Sequence, residues 1–86
     1  MSTVWLVPEG TDSAESATDG DYLLRPRGTD QYEIGKMTSA CTWIGTLSAD
    51  LLPDLPSVDG AQEAPEQHTL LAAVQGVESA EQHRGG

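Results

Sequence analysis

Hydrophobic and polar positions along the chain predict a small antiparallel sheet followed by one helix. The segment TVWLV is apolar from Val4 to Val7 and stops at Pro8, a pattern typical of a short buried strand near residues 3–7. Alternation of apolar and polar residues predicts three further strands, near 21–26, 31–37 and 41–47. The expected fold class is therefore α+β, with about four antiparallel strands.

A hairpin is predicted between the second and third strands, because PRGTD supplies the Pro, Gly and Asp residues that favour turns. The alternating apolar residues of the two strands can share one face of the hairpin only if the loop has an odd length of three or five residues. These residues are Tyr22, Leu24, Tyr32 and Ile34, and the five-residue loop would pair Leu24 with Tyr32. In the fourth strand, alternation places Trp43 and Leu47 on one face, and Gly45 indicates a bulge or a close backbone approach. The expected core residues are Tyr22, Leu24, Tyr32, Ile34 and Trp43.

Residues 8–20, PEGTDSAESATDG, are small, polar and acidic, with no hydrophobic residue larger than Ala. They offer too little apolar surface to offset the entropy lost on ordering, so a mobile loop is expected. Loops of this length in small domains are usually either functional or disordered. The acids of this region are the expected polar part of a partner-binding surface: Glu9, Asp12, Glu15, Asp19 and Asp21.

Two segments after the predicted sheet carry the remaining apolar residues. Residues 48–60, SADLLPDLPSVDG, are expected to form a proline-rich extended strap over one face of the sheet, with a short linear docking motif, LLPDLP, as the alternative. An amphipathic helix is predicted near 65–82, beginning at Pro65. Its narrow apolar stripe is expected to pack on the sheet or on a partner, and consists mainly of Leu70, Val74 and Val77.

The length of 86 residues allows one small folded unit. Within it the pattern indicates a sheet domain with its strap (residues 1–56), a linker (57–64) and a C-terminal helix with a short tail (65–86). A chain of this size buries a modest fraction of its surface, so a thin stability margin is expected.

Charge narrows the classes of partner. The net charge is −10 and the pI is about 4.1. A negative charge of this size repels nucleic acid and anionic membranes, and it favours basic protein partners.

The single cysteine excludes an internal disulfide and indicates a reducing compartment. The start MSTVWLV lacks a basic region typical of a signal peptide, and no apolar run reaches membrane-spanning length. The expected location is the cytoplasm.

Three of the four Lys and Arg residues, Arg25, Arg27 and Lys36, fall between residues 21 and 37. The favoured interpretation is structural: the cations balance nearby acids, and Lys36 lies at a sheet edge where it discourages strand addition. The alternative is a cationic binding patch.

Residue types that carry chemistry do not form a recognisable set. His68 and His83 fall on the predicted surface helix, and Cys41 falls in a strand, where a small buried hydrophobe is the usual role. Their spacing fits no standard zinc site, and the acidic loop lacks the ligand spacing of an EF-hand. No glycine-rich phosphate loop is present in the sequence. The chain is therefore expected to have no catalytic residue, metal or cofactor.

The hairpin YLLRPRGTDQYEIGKM, the strand WIGTL and the Ala-, Glu- and Gly-rich tail resemble small uncharacterised acidic accessory proteins of actinobacterial phages and their hosts. A GC-rich genome fits the composition, because the chain lacks Asn and Phe and has a single Lys. The resemblance covers about the middle half of the chain. It contains no motif with an assigned role, so it assigns no role to any residue here.

Two functions are expected from these features. The first is a non-enzymatic protein-binding module, encoded by a phage or mobile element, that docks on a host protein and blocks a basic or nucleic-acid-facing surface. The alternative is a structural virion component, a capsid or tail accessory subunit that contacts neighbouring virion subunits. Neither function requires direct binding to nucleic acid or to a membrane.

Overall fold

The computed structural model describes the backbone of residues 2–84 and the side chains of residues 2–80. Within this range a mixed sheet of five strands packs against one C-terminal helix, so the α+β expectation is confirmed. The elements are β1 (Val4–Leu6), β2 (Tyr22–Arg27), β3 (Gln31–Met37), β4 (Cys41–Ser48), a 3₁₀ turn (Ala49–Leu51), β5 (Gln62–Glu63) and α1 (Gln67–Arg84).

The strands lie in the order β4-β3-β2-β1-β5, and β1 runs parallel to β2. The prediction of a wholly antiparallel sheet is therefore wrong at this pair. Parallel strands need a long crossover connection, and residues 8–20 supply it. Strand β5 pairs antiparallel with β1, with Trp5 opposite Glu63, and it lies inside the segment expected to be a linker, 57–64.

The β2–β3 hairpin has the odd loop length that the sequence predicted. Arg27 pairs with Gln31, which leaves a three-residue loop that starts at Gly28 in the left-handed region, with φ of +67°. Leu24 faces Ile34, so the pairing expected for a five-residue loop is wrong. The faces are as predicted, because Tyr22 and Tyr32 belong to one core cluster.

A bulge lies between β3 and β4, beside Gly45 as the sequence indicated. Ile34 pairs with Gly45 and Gly35 pairs with Trp43, so Ile44 is the extra residue. The bulge shifts the alternation by one residue. Trp43 and Leu47 therefore lie on opposite faces, and the prediction that they share one face is wrong.

The sheet has a hydrophobic core on each face. The helix face, which α1 covers, contains Val4, Leu6, Tyr22, Leu24, Ile34, Ala64, Leu70 and Val74. The opposite face, here called the loop face, has a smaller core of Val7, Ala14 and Leu23, with half-buried Trp5, Ala17, Met37, Cys41 and Trp43 around it. Trp43 thus belongs to the second core and not to the main one.

Residues 8–20 cover the loop face. Ala14 is 6% exposed and packs in the same cluster as Leu23, which is fully buried. The segment therefore buries apolar surface at Ala14, which the sequence did not lead us to expect. Small alanine side chains suffice here because they let the backbone of the segment lie close to the sheet.

The segment between β4 and β5 contributes to the helix face. Ser48 caps the 3₁₀ turn, and its hydroxyl accepts a hydrogen bond from the Asp50 backbone N–H at 3.3 Å. Further along, Leu52, Leu55 and Val58 are half-buried against the helix-face core. Leu51, in contrast, is 72% exposed.

Helix α1 is joined to β1 by the side chain of Gln67, its first residue. The amide oxygen of Gln67 accepts a hydrogen bond from Val4 N at 2.8 Å, and its Nε2 donates to the carbonyls of Val4 and Ala64, each at 2.7 Å. The side-chain amide therefore hydrogen-bonds with β1 as a backbone peptide would. This contact fixes the point from which the helix crosses the sheet.

Gly35 provides a direct test of the loop-face packing. A Cβ at this position would lie 2.8 Å from Cys41 Sγ and 2.9 Å from Trp43 Cζ3. We expect Gly35→Ala to lower the free energy of unfolding by about 1–3 kcal/mol, because both neighbours must move. Urea denaturation followed by tryptophan fluorescence measures this change.

Gly76→Ala is the matched control, since a Cβ there meets no atom within 4 Å apart from the adjoining backbone of its own helix. Gly76 lies inside α1, so this substitution should raise stability by about 1 kcal/mol. Equal effects of the two substitutions would contradict the packing of Trp43 and Cys41 over Gly35.

Candidate functional site

The five acids expected to form a partner-binding surface separate into two groups. Four of them are exposed: Glu9, Asp12, Glu15 and Asp19. Asp21 is only 4% exposed. The exposed acids therefore form an acidic surface on the outside of residues 9–19, and Asp21 must be removed from it.

Asp21 connects the crossover segment to the strands. Its Oδ1 accepts a hydrogen bond from Thr3 N at 2.9 Å. Its Oδ2 accepts hydrogen bonds from Trp5 Nε1 at 3.0 Å, Thr18 N at 3.0 Å and Thr18 Oγ1 at 3.2 Å. Both oxygens are used internally, so Asp21 is a structural residue.

The hydrogen bonds also set the ionisation of Asp21. Burial acts to raise the pKa of Asp21, but the bonds from Thr18, Trp5 and Thr3 outweigh it, and the pKa lies below its ordinary value. The ionised carboxylate therefore stabilises the fold above the unfolded-state pKa of about 3.9. That contribution is lost as the pH falls through the lower folded-state pKa.

Arg25 holds the crossover segment on the loop face. Its Nη1 donates to the Thr11 carbonyl at 2.7 Å, its Nε donates to Glu33 Oε1 at 2.8 Å, and its guanidinium lies 3.6 Å from the centre of the Trp43 ring. The hydrogen bond from Arg25 lowers the pKa of Glu33. Asp12 lies 3.5 Å from the same guanidinium. The structural interpretation of Arg25 is therefore confirmed.

Glu9 makes a second connection between the crossover segment and the sheet. Its Oε2 accepts a hydrogen bond from the Gly28 backbone N–H in the hairpin turn, at 3.0 Å. The acidic surface is thus attached at Glu9, near Thr11 and Asp12, and at Asp21. Its carboxylates project from a segment that is hydrogen-bonded to the rest of the fold at these points.

Lys36 is not at a sheet edge, because β3 is an interior strand. It donates to Glu78 Oε2 of α1, and Tyr22 donates to Glu78 Oε1, both at 2.5 Å. The hydrogen bonds from Lys36 and Tyr22 lower the pKa of Glu78, and the bond to Glu78 raises the pKa of Lys36. Burial, followed by the contact with Glu78, raises the pKa of Tyr22. The cluster attaches the helix to the sheet.

The apolar residues expected at a partner surface belong to the protein's own core. Leu70 and Val74 have no exposed surface, and Val77 is half-buried against the same cluster. Leu70 and Val74 cannot contact a partner while the helix stays on its sheet, so these two residues must be removed from the candidate surface. A role for Val77 at that surface stays a prediction.

A groove lies near the carboxyl ends of the parallel strands β1 and β2. It encloses about 230 Å³ and is bordered by residues 6–9, Leu24, Pro26, Tyr32 and residues 56–58. Sequence patterns gave no indication of it, because its walls come from four separate segments. Three prolines, Pro8, Pro26 and Pro56, are the one sequence feature that three of these segments share.

The residues that carry chemistry do not converge among the described side chains. Burial raises the pKa of the Cys41 thiol, which keeps it protonated at neutral pH. His68 is exposed on α1, and the side chain of His83 lies outside the described residues. Within the part of the chain that is described, no three His, Cys, Asp or Glu residues are grouped in a way that could hold a metal ion.

Comparisons with known proteins add no assignment. No family model, no curated protein and no solved structure matches the chain. Among the described residues, no helix has the length and apolar character needed to cross a membrane.

The role of Asp21 can be tested with Asp21→Asn. An amide cannot accept hydrogen bonds at both positions, so we expect a loss of about 2 kcal/mol or more in unfolding free energy at pH 7. The loss of stability between about pH 4 and the lower folded-state pKa should also become smaller, because the titrating carboxylate is gone.

Asp19→Asn is the control, because it makes the same change of charge at an exposed position two residues earlier. It should change stability by about 0.5 kcal/mol or less. Urea denaturation of both variants over a pH series separates the outcomes. Similar stability losses in the two variants would show that the hydrogen bonds accepted by Asp21 do not stabilise the fold.

Proposed function

We propose that the protein acts by association, and that its acidic surface docks on a basic surface of a host protein. The surface consists of Glu9, Asp12, Glu15 and Asp19. A phage or mobile-element origin and action in the host cytoplasm are part of the proposal, and the sequence resemblance supports them. The blocked surface would be one that otherwise faces nucleic acid.

One observation carries the proposal: the acids lie on the outer side of a segment whose inner side is attached to the sheet. Ala14 is buried beneath it, and Arg25 holds the Thr11 carbonyl. A surface ordered before binding loses less conformational entropy on association. Charges at fixed positions also accelerate encounter with a basic partner.

A second candidate function is that of a virion subunit, and strand β4 favours it. This strand is one edge of the sheet and has eight residues without a single charge or proline. Such edges can pair with a strand of another chain, although the bulge at Ile44 partly opposes it. In either function residues 48–60 are proposed to act as a strap within the chain, which the half-buried Leu52, Leu55 and Val58 support.

The size of the isolated protein separates the two functions. Light scattering coupled to size exclusion should give a monomer of 9.1 kDa if the protein is a docking module. Assembly that grows with concentration would instead support the subunit function.

The docking function predicts a specific charge dependence. We expect the double variant Glu15→Lys, Asp19→Lys to associate several-fold more slowly with a partner captured from an actinobacterial lysate, because the reversed charges repel a basic surface. Both residues are exposed, so folding should be unaffected. Association rates from surface plasmon resonance over a salt series measure the effect.

The control is Asp50→Lys, Asp54→Lys, which changes the net charge equally on a different exposed segment outside the groove. Its association rate should fall less than that of the first pair. Equal rates for both pairs, or a wild-type rate independent of salt, would contradict docking through the acidic surface.

A further inference from the structure

The groove of about 230 Å³ has stiff, mostly apolar walls. Pro8 follows β1, Pro26 lies in β2, and Pro56 comes from the segment between β4 and β5, while Tyr32 and Val58 add apolar surface. Proline has a fixed φ and no backbone N–H. The walls therefore offer shape and apolar contact and few hydrogen-bond donors.

The volume of the groove matches one side chain. Pockets for metabolites and drug-sized ligands usually enclose about 300–1,000 Å³, more than is available here. A cavity of about 150 Å³ can hold benzene. The groove is therefore large enough for a leucine, methionine or phenylalanine side chain, and too small for most cofactors.

The charge beside the groove favours particular residues next to the inserted side chain in the bound segment. Glu9 is the single charged residue among the described residues that line it, and Glu9 is exposed. Its Oε2 accepts the bond from Gly28 N, and a carboxylate has further acceptor positions open to solvent. A cationic residue next to the inserted side chain is therefore favoured.

We propose that the groove binds a linear segment of a basic protein, with one large apolar side chain inserted between the prolines and an adjacent Lys or Arg paired with Glu9. This inference rests on the proposed docking function and adds an anchor point to it. A buried apolar anchor surrounded by weaker polar contacts is the usual arrangement at protein interfaces. Glu9 joins the two parts, since it belongs to both the groove and the acidic surface.

The test uses three short peptides and the full chain. The probe is acetyl-Arg-Arg-Leu-Arg-Arg-amide; the second peptide replaces Leu with Ser, and the third replaces every Arg with Gln. Chemical shifts of backbone amides during titration of ¹⁵N-labelled protein locate the binding site and give the affinities.

We expect the first peptide to shift the amides of Glu9, Leu24 and Ser57 saturably. The Ser peptide should bind at least about tenfold more weakly, because it has no apolar side chain to bury. The Gln peptide should also bind more weakly, because it cannot pair with Glu9.

Two substitutions and two controls locate the site on the protein. Ser57→Trp should fill the groove and abolish the difference between the Leu and Ser peptides, whereas Ser16→Trp adds the same side chain at an exposed position outside the groove. Glu9→Gln keeps an acceptor for Gly28 N but removes the charge, and should weaken the Leu peptide more than Glu15→Gln does.

The outcomes distinguish this inference from the docking function. Equal affinities for the Leu and Ser peptides, or no shifts in the groove, would overturn the anchor site and leave salt-dependent docking standing. If the association rate of the captured partner does not depend on salt, while the Leu peptide still shifts the groove amides, the acidic-surface proposal is overturned instead. Binding of the Leu peptide that survives Ser57→Trp unchanged would also overturn the anchor site.

Discussion

Both faces of strand β2 are buried, although the described part of the chain contains a single α-helix to cover them. Leu24 points to the helix face and Leu23 to the loop face, and neither has exposed surface. Burying a leucine contributes about 1.5–3 kcal/mol, a large share of the stability of a small domain. The second face must therefore be covered by something other than a helix, and residues 8–20 do so.

This requirement explains how an acidic segment comes to be attached to the sheet. The segment is also the crossover between the parallel strands β1 and β2, so its two ends are fixed by the sheet. Asp21 and Arg25 hold it at internal points through hydrogen bonds to Thr3, Trp5, Thr18 and the Thr11 carbonyl. Its alanines face the sheet, and most of its acids face solvent. The same segment therefore covers the loop face with one side and carries the acidic surface on the other.

The sequence predicted features that depend on neighbouring residues. The strand positions, the odd hairpin loop and the bulge beside Gly45 follow from alternation and turn chemistry, which are local. The parallel β1–β2 pair and strand β5 could not be predicted, because they join segments far apart in the chain. The burial of Ala14 could not be predicted from the sequence, because an alanine among polar residues fits an exposed loop as well as a buried position. In the sequence Asp21 looks like the other acids of this region. Its structural role depends on hydrogen bonds from Thr3 and Trp5, which are far from it in the chain.

The most direct test of this account is amide hydrogen exchange in the free protein, read residue by residue by NMR. Gly20 N donates to Met37 O at 2.8 Å and Ala17 N donates to Ala14 O at 3.2 Å, so residues 17–20 are bonded to the sheet and to themselves. If the segment is a fixed cover, the Gly20 amide should exchange about as slowly as the Met37 amide, which donates to Asp21 O at 2.8 Å. Exchange of Gly20 and Ala17 at the rate of an unstructured chain, with Met37 still protected, would contradict the account.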